Sequence, residues 1–115
     1  MTPPLLRRGS VVRLGNPVAS GDPQRLLAVV VQADRWLASH PSICCCSITS
    51  RLVAAPLFRL SLEPSLANGL PSSSQLMVDK LFTAAQQQVR QVVGVLEGQE
   101  LAVLERALRQ WLELA

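Results

Sequence analysis

The chain has 115 residues, enough for one domain with its own hydrophobic core. Its 49% hydrophobic and 17% charged residues belong to a folded globular chain, not a disordered one. The longest apolar run is six residues, against the roughly twenty of a membrane-spanning helix, and residues 1–9 hold no apolar stretch like that of a signal peptide. A cytoplasmic protein without a membrane partner is expected.

The net charge of +3 is unevenly spread. Residues 1–60 carry seven arginines against Asp22 and Asp34, a balance of +5; residues 61–115 carry four basic and six acidic groups, a balance of −2. A basic half built from arginine alone suits a phosphate-bearing partner, since the guanidinium offers a planar fork of donors. A solvated basic face is the alternative.

Taken in order, residues 1–7 read as a flexible tail before a single domain over 8–115. Arg8 to Leu14 reads as a first short strand. Gly15 to Pro23 is a loop, with two glycines, two prolines, Asn16, Ser20 and Asp22. Arg25-Leu26-Leu27-Ala28-Val29-Val30-Val31-Gln32 follows: six apolar residues, ending in three valines, between a guanidinium and an amide. Such a run fits a strand buried on both faces.

Ala33 to His40 allows one or two helical turns, stopped at Pro41. Ile43 to Ile48 is a second core strand closing on Thr49-Ser50-Arg51. If these two strands are antiparallel neighbours, Arg25 and Thr49 lie side by side, the first grouping with chemical content. Cys44, Cys45 and Cys46 are contiguous, so adjacent thiols point to opposite sides of a strand. That suits buried small side chains, not a disulfide framework or a zinc site, and His40 is the sole histidine.

Leu57 to Glu63 alternates, with Phe58, Leu60 and Leu62 on one face and Arg59, Ser61 and Glu63 on the other. Pro64 to Ser74 is a loop turning at Asn68-Gly69, and Gln75 to Leu81 is a strand. A helical turn over Ala84–Val89 precedes a last strand from Gln91 to Leu96. From Gly98 the period becomes helical, with Leu101, Leu104, Leu108, Trp111 and Leu112 on one face. The fold class expected is α+β, mainly β: a small antiparallel barrel or sheet carrying one C-terminal amphipathic helix.

These segments resemble the MazF/PemK toxin family. The resemblance lies in Arg8-Gly9, Ala28-Val29-Val30-Val31-Gln32 and Ser47-Ile48-Thr49-Ser50. It continues through Phe58 to Pro64, Asn68-Gly69-Leu70, Ser74 to Leu81, and Gly94-Val95-Leu96 before the terminal helix. It covers roughly residues 8–114. It implies an SH3-like β-barrel with short helices, a homodimer, and a cytoplasmic endoribonuclease that cuts single-stranded RNA without a metal or other cofactor. It also implies inhibition by a cognate, MazE-like antitoxin.

In that family an Arg-Pro dipeptide opens the core strand and acts with the threonine of Thr-Ser. Thr49 matches the threonine. Counting back from Gln32, Arg-Pro falls on Leu26-Leu27, and Arg25 stands one residue earlier. The catalytic candidates are therefore Arg25 and Thr49, with Asp22, Gln32, Ser50 and Arg51 as RNA-binding candidates and no metal ligand. The other readings are a weakened homologue that still binds antitoxin or RNA, and a CcdB-like gyrase poison.

Overall fold

A computed structural model of the chain describes residues 5–15, 27–54 and 58–114. The valine-rich run becomes a central strand, β2 (Leu27–Val30), with every residue buried. On one side it pairs with β1 (Ser10–Leu14), and on the other with β3 (Ser42–Thr49), both antiparallel. The remaining strands are β4 (Arg59–Leu62), β5 (Ser74–Ala85) and β6 (Val89–Val95), followed by one helix, α1 (Gln99–Leu112). The sheet order is β4-β5-β3-β2-β1-β6.

The run lacks alternation because both faces of β2 are covered. Leu27 and Val29 join a larger core cluster with Val11, Cys46, Ile48, Leu76 and Val78, capped by Leu104 and Ala107 of α1. Ala28 and Val30 join a smaller one with Val12, Leu14, Ile43, Cys45 and Leu37. The adjacent thiols divide as strand geometry requires, Cys45 to the smaller cluster and Cys46 to the larger. Phe58, just before β4, and Leu60 and Leu62 on it pack on the larger cluster as their alternation predicts. The stripe of α1 is inward at Leu101, Leu104 and Leu108, but Trp111 and Leu112 are exposed, with Trp111 edge-on to Phe58 at 4.9 Å.

Two expectations need correction. The α+β, mainly β class holds, but among the described residues the sheet is not a closed barrel: β4 and β6 are its two edges, with no strand pairing between them. β4 has four residues and runs into Pro64, which offers no N–H to continue a ladder. The loop after it bridges the gap instead, since Val95 N–H donates to the Ala67 carbonyl at 2.8 Å. A side chain at Gly94 would collide with the backbone of Ala67 and Asn68, so only glycine permits this approach. Second, β5 runs on to Ala85, and only Gln86–Gln88 turn, as a short 3-10 segment. Pairing of Ser42 with Ala85 and Ile43 with Ala84 overrides the local helical preference of the Ala-Gln stretch.

Register also shifts where Cys46 faces Leu81 and the next residue, Ser47, faces Met77. The extra β5 residues form a bulge that bends the strand, so one half serves β3 alone and the other joins β3 to β4. Among the described residues no helix is long and apolar enough to cross a membrane.

Asn68 locks the bridging loop. It is fully buried, its Oδ1 accepts from the N–H groups of Ser65 and Leu70, and its Nδ2 donates to the Glu63 carbonyl at 2.8 Å. Asn68→Ala leaves those groups without partners and is expected to lower unfolding free energy by about 2–3 kcal/mol in urea titration. Leu66→Ala, at a fully exposed position of the same loop, is expected to stay within about 0.5 kcal/mol.

Burial, reinforced by the neighbouring Cys44, pushes the Cys45 and Cys46 thiols up to about 12. A thiol raised in the folded state stabilises it fully below the unfolded value of 9.0, and that contribution is lost as pH rises towards 12. Urea midpoints are therefore expected to fall between pH 9 and 11. Iodoacetamide at pH 8 is expected to label the half-buried Cys44 first, and the other two only on unfolding, as read by mass spectrometry.

Candidate active site

The antiparallel pairing of β2 and β3 puts the start of β2 and the end of β3 at the same end of the sheet. Thr49 closes β3 there. It is half-buried, and its Oγ1 accepts a hydrogen bond from the Arg51 N–H at 3.0 Å, a local turn of the kind Thr and Ser form. The acceptor role leaves the hydroxyl proton free to donate. Ser50 is half-buried and Arg51 exposed beside it. Arg25 and Asp22 lie outside the described residues. Leu27, where the family's proline would stand, is buried in the larger core cluster.

Across the sheet, Thr49 on β3 pairs with Gln75 on β5, and Gln75 in turn pairs with Ser61 on β4. One row further in, Ser47, Met77 and Arg59 are aligned. Paired residues share a face, and so do residues two apart on a strand, so Thr49, Gln75, Ser61 and Arg59 open onto one side.

Gln75, only 8% exposed, organises this corner. Its Oε1 accepts from Val53 N–H at 3.1 Å and from Arg59 Nη1 at 2.9 Å, while its Nε2 donates to the Val53 carbonyl at 2.9 Å. A side-chain amide thus pairs with the Val53 backbone as a neighbouring strand would, and holds the segment after Thr49 across the sheet edge. Arg59 Nη1 also donates to the Arg51 carbonyl at 3.2 Å. Thr49, Arg51, Val53, Arg59 and Gln75 therefore form one continuous network.

Neither Arg59 nor Gln75 is identifiable from the sequence as a site residue. Arg59 stands on the polar face of an alternating strand, and only the pairing of β4 with β5 shows that this face adjoins Thr49.

Gln32 is placed elsewhere. Its Oε1 accepts from Cys44 N–H at 2.9 Å and its Nε2 donates to the Trp36 carbonyl at 3.0 Å, so both ends of the amide serve the backbone. It sits by Cys44, at the opposite end of β3 from Thr49, and the structure does not bring the two together.

The charge pattern separates the arginines. Arg7 pairs with Glu97 at 3.5 Å and Arg8 with Glu105 at 2.9 Å, both beside α1. Among the described residues, neither Arg51 nor Arg59 is paired with a carboxylate. Hollows of about 370 and 330 Å³ flank the Arg8–Glu105 pair, and neither borders Thr49. They also border Arg35 and Arg109, which like Arg51 and Arg59 have no carboxylate partner among the described residues, so what sets the end of β3 apart is the Thr49 hydroxyl beside its arginines. Among the described residues no group of three His, Cys, Asp or Glu side chains is arranged to hold a metal ion.

Comparison with known proteins identifies the family of the chain. Residues 7–112 match the family described as PemK-like, MazF-like toxin of type II toxin-antitoxin system. The chain belongs to that family. The match takes in all six strands and the helix. The chain is 32% identical over 111 residues to a probable endoribonuclease MazF of Mycolicibacterium smegmatis, covering 96% of this chain and 99% of that one.

Solved structures with the same fold include a MazE–MazF complex from Deinococcus radiodurans, with a TM-score of 0.73 at 19% identity, covering 96% of this chain and 99% of that one. Another is an endoribonuclease in complex with its cognate antitoxin from a mycobacterial species, with a TM-score of 0.76 at 15% identity, covering 96% and 97%. The family assignment thus agrees with the resemblance carried by the motifs.

Proposed function

We propose that this PemK/MazF-like toxin is an endoribonuclease that cleaves single-stranded RNA and is held in check by a cognate antitoxin. The observation that carries this reading is the hydroxyl of Thr49, placed at the end of an interior strand beside arginines that have no carboxylate partner among the described residues. Near-complete coverage of a relative named as a probable endoribonuclease supports it. The antitoxin partner is supported by the structural neighbours named as toxin–antitoxin complexes. The chain acts as one domain over residues 8–115, as a cytoplasmic homodimer, without a metal or other cofactor.

In this reaction the ribose 2′-oxygen attacks the adjacent phosphorus and gives up its proton to solvent or a base. The new O2′–P bond forms as the P–O5′ bond breaks, and the departing 5′-oxygen takes up a proton. The products are a 2′,3′-cyclic phosphate and a 5′-hydroxyl end. Negative charge grows on the non-bridging oxygens, and fixed donors aimed at them lower the barrier. Thr49 donates its hydroxyl proton to one such oxygen, and Arg25 clamps the phosphate. Arginine remains charged below about pH 12, so its role is electrostatic, not that of a base. Ser50 and Arg51 contact the RNA on either side, and its bases are read unpaired and splayed. Asp22 is the remaining RNA-binding candidate.

Induced expression without antitoxin is expected to arrest growth and to create new 5′-hydroxyl RNA ends at one short recurring sequence. Arg25→Ala and Thr49→Ala are each expected to lower cleavage by purified protein at least about 100-fold. A wild-type rate in either variant would remove that residue from the site. Arrest with intact RNA and damaged DNA would replace the reading with gyrase poisoning.

A further inference from the structure

Arg59 has the features of a binding residue that ordinary packing does not explain. It is half-buried, its guanidinium is fixed, and it has no carboxylate partner among the described residues. Of its five N–H donors, those on Nη1 are directed to Gln75 Oε1 and the Arg51 carbonyl. Nη2 and Nε make no hydrogen bond among the described residues. The acidic groups nearest in sequence and pairing are engaged elsewhere: Glu63 accepts from Ser73 Oγ at 2.6 Å, and Asp79 pairs with Lys80 at 3.2 Å.

The group that holds this cation is informative in itself. Gln75 is a neutral amide at a buried position where a carboxylate would pair with Arg59 and cancel its charge. An amide oxygen orients the guanidinium and leaves its full charge available. A fork of donors, partly desolvated and held without a counter-ion, matches a phosphate better than any neutral ligand.

Placement decides which phosphate. Arg59 lies two strands from Thr49, roughly 10 Å at the usual strand spacing, on the same face. At that backbone separation Arg59 is in reach of the phosphate next to the one at Thr49 along an extended strand.

We propose that Arg59, oriented by the buried Gln75, forms a second phosphate-binding site that holds the RNA backbone beside the reacting phosphate. The proposal rests on the ribonuclease reading and extends it with a contact on β4, a strand that carries neither Arg25 nor Thr49. Gln75 is a positioning residue: it acts through Arg59 and through Val53, whose backbone it ties to the sheet edge.

The test is binding of a fluorescein-labelled, randomised-sequence 12-nucleotide RNA with 2′-O-methyl riboses, followed by anisotropy across a salt series. The modified ribose blocks cleavage, so binding is read alone. Arg59→Gln is expected to weaken binding at least about 10-fold at low salt. It is also expected to reduce the slope of log affinity against log salt by about 0.7, the value of one phosphate contact on a single strand. Arg59→Lys is expected to keep the slope while losing part of the affinity. Gln75→Glu, which leaves Arg59 in place but supplies a counter-ion, is expected to lose the same slope as Arg59→Gln.

Thermal melts of each variant identify any that fail to fold, and the Arg59→Lys and Arg59→Gln pair carries the test if Gln75→Glu does. Wild-type affinity and slope in Arg59→Gln would overturn the second site and leave the ribonuclease reading standing. A wild-type protein that neither binds this RNA nor cleaves transcripts would overturn both. A decamer of polyglutamate serves as the competing probe. If Arg59→Gln weakens its binding and spares that of RNA, the site reads an acidic peptide and the proposal fails.

Discussion

Burial of β2 and β3 on both faces is the constraint from which the rest of the sheet takes its register. Val29 and Cys46 must reach the cluster under α1, while Val30 and Cys45 must reach the cluster on the other face. A slip by one residue would exchange these sets and turn Ser47 and Thr49 into the larger core, leaving two hydroxyls buried in an apolar environment. The apolar pattern therefore fixes the register, and the register fixes where Thr49 emerges. Position at the end of a two-sided core strand is what gives this threonine a rigid backbone and an accessible hydroxyl.

Beyond Thr49 the chain leaves the sheet, and polar interactions take over from burial. Gln75 supplies a pair of hydrogen bonds to Val53 that backbone pairing no longer provides, and the same amide oxygen receives Arg59. The sheet edge, the segment after Thr49 and a cation from a third strand are thereby joined through one buried side chain. Of the described arginines in the first half, Arg7 and Arg8 are paired with Glu97 and Glu105 beside α1, whereas Arg13, Arg35, Arg51 and Arg59 have no acidic partner among the described residues, the last two near the β3 terminus. A composition-level charge excess says little about function until this division is known.

The strands and the helix were legible in the sequence because their signals are local: the valine run, the alternation of Phe58 to Leu62, and the 3.6-residue period after Gly98. Thr49 was legible through its place at the end of a core strand and its resemblance to the family's Thr-Ser. What local patterns do not contain is pairing. Barrel closure depends on whether β4 meets β6, and Pro64 with the Asn68 loop answers that differently from the family expectation. The Ala84–Val89 turn yielded to the β3 partner of β5. Arg59 and Gln75 stayed hidden for the same reason, since no spacing in the sequence places them beside Thr49. Gln32 is the polar end of a strand in the sequence, but the end away from Thr49, and its amide serves the backbone. Arg25 and Asp22 lie outside the described residues.

The central claim is that RNA is held at the β3 terminus, and not in the hollows beside Arg8 and Glu105. Proton–nitrogen correlation spectra of the labelled protein, titrated with an uncleavable 2′-O-methyl RNA, test it most directly. The account predicts shifts concentrated at the backbone amides of Thr49, Ser50, Arg51 and Val53 and at the side-chain signals of Arg59 and Gln75. Shifts concentrated instead at Arg8, Gln32, Cys44 and the α1 residues Leu108 and Leu112 would contradict it.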